Sequence, residues 1–105
     1  MNLTLRHLRV FATVAQLNSF AEAAQHLHLT SPALSQIVKD LEEQTGFKVF
    51  DRTTRSVELT QAGRTFLPQV QRLLAEHQNV TQVVSSIRAK NSGIVRIAAT
   101  QLISC

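Results

Sequence analysis

The sequence predicts a mainly α fold of three short helices, a two-stranded β-hairpin and one long closing helix, and three patterns carry that prediction. Apolar residues recur at helical spacing from about Thr4 to Leu17 and again between Phe20 and Lys39. Two β-prone runs, Phe47 to Phe50 and Val57 to Leu59, flank a polar tip. From Thr60 to about Lys90 the apolar positions fall into a heptad.

In the first helix, Leu5, Leu8, Phe11, Ala12 and Ala15 share one face and supply a floor for the next two helices. Ser19-Phe20-Ala21-Glu22 reads as a capping box opening the second helix, its hydroxyl and carboxylate satisfying backbone N–H groups reciprocally. Ala23 and Ala24 are small where the third helix crosses the second, because a larger side chain would push the backbones apart. Leu27, Leu34 and Ile37 fill the space between the two. His28-Leu29-Thr30 is the turn, Thr30 or Ser31 caps the third helix, and Pro32 falls in its first turn, where a missing N–H costs nothing. Gly46 ends it with a residue that tolerates positive φ. Residues 20–39 therefore form a helix-turn-helix, which leaves one face of its trailing helix free to enter a DNA major groove. A plain αα-hairpin in a helical bundle would read the same way. The candidate reading face is Pro32, Ser35, Gln36 and Lys39, which recur at three- and four-residue intervals.

The hairpin makes this a winged helix-turn-helix, three helices plus a two-stranded β wing. Its tip carries Arg52 and Arg55 around Thr53 and Thr54, placed to meet phosphates or a minor groove together. An irregular loop in the same place would display the same two arginines. Beyond it, Phe66, Val70, Leu73, His77, Val80, Val84 and Ile87 alternate four- and three-residue steps, the seam of a coiled coil. About 28 helical residues make a rod of roughly 42 Å, longer than a small domain can cover, so a second copy of the chain is the simplest partner. Pro68 removes the bond to the Arg64 carbonyl and predicts a bend. His77 sits mid-seam, either neutral at its edge or, across a two-fold axis, a pair whose protonation loosens the dimer in acid.

Three segments result: residues 1–59 as the winged domain, 60–90 as the dimerising linker helix, and 91–105 as a hinge and opening strand. Ile94 to Ala99 resembles the first strand of an α/β domain, and the few residues after it cannot complete one, which predicts an N-terminal piece of a longer protein.

Composition bounds the rest. The net charge of +4 is not the argument for nucleic acid, because six basic and six acidic residues balance through Glu58 and the surplus lies beyond it. No apolar run approaches the roughly 18 residues of a membrane span, and the N-terminus lacks a signal-peptide layout, which predicts a soluble, cytoplasmic protein without membrane contact. The single Cys105 excludes an internal disulfide and a cysteine zinc site. His26 and His28 diverge on a helix, no acids cluster, and no nucleophile has a base beside it. No catalytic residue, metal site or cofactor is therefore expected. A protein-interaction module is the rival reading, but the Pro32, Ser35, Gln36, Lys39 face lacks the large apolar anchor such a surface prefers.

Many ordered residues resemble the LysR-type transcriptional regulators of bacteria: Leu5-Arg6 with Leu8 and Phe11; Ser19-Phe20 with Ala23-Ala24 and Leu27; Ser31-Pro32-Ala33-Leu34-Ser35; Leu41-Glu42, Gly46, Phe50, Arg52 and Arg55; and Leu59-Thr60-Gln61-Ala62-Gly63. The resemblance implies a linker helix that dimerises antiparallel, tetramers on two partly palindromic DNA sites, and a C-terminal domain that senses a small-molecule effector. It also implies that Ser31, Pro32, Ala33, Ser35 and Gln36 approach bases and phosphates, with Lys39 on a phosphate and Arg52 and Arg55 on the adjacent backbone or minor groove. This chain departs from many members at Gln36, where they carry Arg, and at Ile37, where they carry Gln or Ala. Gln bonds adenine bidentately where Arg favours guanine, so Gln36 either changes the base preferred at that step or touches only a phosphate.

Overall fold

The computed structural model describes residues 1–52 and 56–92; Thr53, Thr54 and Arg55 at the wing tip, and residues 93–105 with the expected opening strand, lie outside the described residues. The chain divides into two compact units, Met1–Leu74 and Ala75–Cys105.

Helix α1 spans Leu5–Leu17 and starts from a complete capping box at Thr4. The Thr4 hydroxyl accepts the His7 N–H at 3.2 Å, and His7 Nδ1 accepts the Thr4 N–H at 3.0 Å, so histidine stands where Glu or Gln usually completes the motif. With Nδ1 an acceptor, Nε2–H is the donor, and it reaches Asp40 Oδ2 at 2.6 Å. The buried His7 thus clips α1 to the helix that carries Asp40.

Helix α2 (Phe20–His26) opens with Ser19 accepting the Glu22 N–H at 3.1 Å. The reciprocal carboxylate bond expected there is not formed among the described residues, so Ser19 is a simple N-cap. A Schellman turn closes α2: Leu29 N–H donates to Ala24 O at 2.8 Å and His28 N–H to Gln25 O at 3.2 Å. His28 takes the left-handed conformation (φ 58) that this turn requires. Helix α3 (Ser31–Thr45) is capped by Thr30, which accepts the Ala33 N–H, and ends at Gly46, whose φ of 86 suits glycine.

Strands β1 (Phe50–Arg52) and β2 (Val57–Leu59) pair antiparallel with Phe50 opposite Leu59, Asp51 opposite Glu58 and Arg52 opposite Val57. The first strand was expected from Phe47, and it begins three residues later for a physical reason. Val49 N–H, at 2.9 Å, donates to the Glu42 carboxylate of α3 instead of a neighbouring strand, and Lys48 O accepts from the Thr60 hydroxyl at 2.6 Å. Side chains therefore hold Lys48 O and the Val49 N–H, while Val49 O takes the Thr60 backbone N–H at 3.0 Å.

Helix α4 (Gln61–Ser92) runs on through Pro68 and two residues past the expected end. Thr60 caps it by accepting the Gly63 N–H at 3.0 Å. Gly63 is required by proximity, because a Cβ there would run into the Val49 carbonyl oxygen.

Phe11, Val14, Ala23, Leu34, Leu41 and Val49 are fully buried at the centre of the first unit. All five phenylalanines join around it as one chain of ring contacts, Phe20 to Phe50 to Phe11 to Phe66 to Phe47, with centroids 5.4–5.7 Å apart. Such edge and tilted contacts add to the area they bury. Two members of the heptad thus turn out to be core: Val70 is 2% exposed and Phe66 is half-buried between Phe11 and Phe47. Leu73, at 48%, begins the exposed part. In the second unit Val80, Val83, Val84 and Ile87 are exposed, from 42% at Val84 to 57% at Val83, and His77 is exposed among them. Val83 widens the stripe beyond the seven residues of the heptad.

Candidate nucleic-acid interface

Two elements of the first unit build one open cleft of about 550 Å³. Pro32, Ser35, Gln36 and Lys39 of α3 line one side, and Lys48 with Asp51 and Arg52 of β1 lines the other. The inward positions of α3, Leu34, Val38 and Leu41, are buried, so the helix cannot roll without exposing them. That burial aims Gln36 and Lys39, both exposed, away from the core.

The expected contacts on α3 each have a definite place. Ser31 and Pro32 are exposed at the start of α3, Ser35 is half-buried, and Ala33 is half-buried with its N–H already bonded to Thr30. Pro32 has no N–H, which leaves that of Ser31 as the first-turn donor for an anion at the helix N-terminus. Thr53, Thr54 and Arg55 lie outside the described residues, and of the four expected wing contacts Arg52 is the one described.

The cleft carries three cations, Lys39, Lys48 and Arg52, against two carboxylates, Glu42 and Asp51. Glu42 accepts the Val49 N–H and so braces the cationic wall against α3, while its carboxylate keeps its negative charge. Lys48 was missed in the sequence because it sat inside an expected strand. Its signal is a basic residue between Gly46 and the wing. Phe20 was also missed: the Arg52 guanidinium carbon lies 3.8 Å above its ring centroid.

Among the described residues, no group of three or more His, Cys, Asp or Glu could hold a metal ion, and no helix is long and apolar enough to cross a membrane. His26 and His28 are both exposed.

Residues 5–64 match the family described as bacterial regulatory helix-turn-helix protein, lysR family. The chain is 43% identical over 104 residues to the uncharacterized HTH-type transcriptional regulator YfeR of Shigella flexneri, covering 99% of this chain and 34% of that protein. It is 36% identical to the RuBisCO operon transcriptional regulator of Allochromatium vinosum, with the same two coverages. It therefore spans about a third of the length of these curated relatives. The solved complex of the BenM DNA-binding domain with catB site 1 DNA superposes with a TM-score of 0.79 at 32% identity, over 83% of this chain and 98% of that one. With more than half of its residues inside the family match and its fold shared with a DNA-binding domain, the chain belongs to the LysR family of bacterial helix-turn-helix regulators.

Proposed function

We propose that this chain is the DNA-reading and dimerising part of a transcriptional regulator, and that it binds double-stranded DNA through the cleft between α3 and the wing. The cleft itself carries the reading: a polar helix face with Gln36 at its centre stands opposite a wall bearing Lys48 and Arg52. The solved relative with DNA bound shares this fold. Ser31, Pro32, Ser35 and Gln36 approach bases and phosphates, Lys39, Lys48 and Arg52 neutralise phosphates, and Thr53, Thr54 and Arg55 extend the wing contact. Gln36 is the base-reading residue. No catalytic step enters this function.

The exposed stripe of Leu73, His77, Val80, Val83, Val84 and Ile87 is the surface for a second copy, which delivers the reading helices in pairs to a partly palindromic site. In the longer protein the dimers associate as tetramers, a C-terminal domain binds a small-molecule effector, and the regulator works in the cytoplasm. The chain by itself binds DNA without a ligand response.

Gel-shift titration against a randomised duplex, followed by sequencing of the bound fraction, tests the reading with Gln36 and with Gln36→Arg. The expected result is an adenine preference that moves to guanine at one step, worth about 1–3 kcal/mol. Identical preferences from the two proteins would remove Gln36 from base reading.

A further inference from the structure

We propose that Phe20 is a positioning residue for DNA binding, acting through Arg52; the proposal rests on the DNA-reading function above. Arg52 is the last residue of β1, exposed, and on a long side chain with many rotamers. An arginine so placed would ordinarily sample them all. Here its guanidinium lies at van der Waals distance over the Phe20 ring, 3.8 Å from the centroid. Among the described residues no carboxylate pairs with it.

The ring is itself fixed. Phe20 is the first residue of α2, half-buried, and meets Phe50 edge-on at 5.7 Å; Phe50 is buried and meets Phe11 at 5.4 Å. Arg52 also lines the cleft that Pro32, Ser35 and Gln36 border. A rigid aromatic plate therefore holds a cation at the edge of the reading cleft. A ring face attracts the cation while leaving the five guanidinium N–H groups without a carboxylate acceptor, so they stay available to phosphate oxygens. The ordering loss is met on folding rather than on binding, which is how preorganisation raises affinity.

The test titrates a labelled random-sequence duplex with the full chain at several salt concentrations. Phe20→Leu should weaken binding by about two- to fivefold and lower the salt slope toward that of Arg52→Ala, by up to about one unit. Phe20→Tyr, which keeps the ring, should bind as the parent does. In the Arg52→Ala background, Phe20→Leu should cost nothing further. Equal losses in both backgrounds with an unchanged slope would overturn the proposal and leave Phe20 a packing residue. If Arg52→Ala binds like the parent, the proposal also falls, while the Gln36 preference of α3 stands. Failure of the parent to bind any duplex would remove the DNA-reading function and this role together.

Discussion

The two units of the chain handle apolar residues in opposite ways. In Met1–Leu74, Phe11, Leu34, Leu41 and Val49 are fully buried and the polar groups around them are matched, with no buried side-chain nitrogen or oxygen lacking a partner among the described residues. From Ala75 to Ser92, four of the apolar side chains, Val80, Val83, Val84 and Ile87, are exposed. One unit closes its core by itself; the other leaves its apolar stripe exposed to solvent. Buried Val70 and exposed Val84 belong to the same uninterrupted helix α4, so the difference comes from what each face meets and not from helix propensity.

Substitutions can break this contrast, beginning with the largest effect. Phe11→Ala removes the ring that joins Phe50 to Phe66 and should cost the first unit about 3–5 kcal/mol, read by denaturant unfolding. Gly63→Ala forces a Cβ toward the Val49 carbonyl and should cost about 1–3 kcal/mol in the same assay. Val84→Glu should move sedimentation from dimer to monomer and remove any dependence of Tm on protein concentration, the unfolding midpoint falling to the concentration-independent value of the monomer. An unchanged sedimentation profile would mean that the stripe is not the dimer surface. Glu42→Gln should cost about 1–2 kcal/mol, because a charged acceptor of the Val49 N–H becomes a neutral one. The smallest effect is at the helix-turn-helix turn. His28→Gly should stabilise by about 1 kcal/mol or less, since glycine adopts φ 58 without steric cost.

The same contrast explains which features were legible in the sequence. Helix periodicity and local caps placed α1, α2 and α3 to within a residue or two, because Thr30 and Gly46 act on backbone groups a few residues away. Whatever depends on distant residues escaped. The late start of β1 comes from Glu42 seven residues before Val49 and Thr60 twelve residues after Lys48, which β-propensity cannot register. The His7–Asp40 clip spans 33 residues and hides behind a capping box with an unusual third member. Heptad spacing found a face of α4 but not what covers it: Phe66 and Val70 turned to the core, and Val83 joined the exposed stripe. In the candidate site, Pro32, Ser35, Gln36 and Lys39 were readable because a single helix presents them. Lys48 and the Phe20 plate under Arg52 were not, because folding brings them there.

Selection of the full chain on a randomised duplex pool, with sequencing of the retained fraction, tests both regions at once. If α3 reads bases and the α4 stripe pairs two copies, the enriched sequences contain two half-sites related by a dyad, and Val84→Glu reduces them to one. No enrichment by the parent chain, or a dyad that persists unchanged in Val84→Glu, would contradict the account.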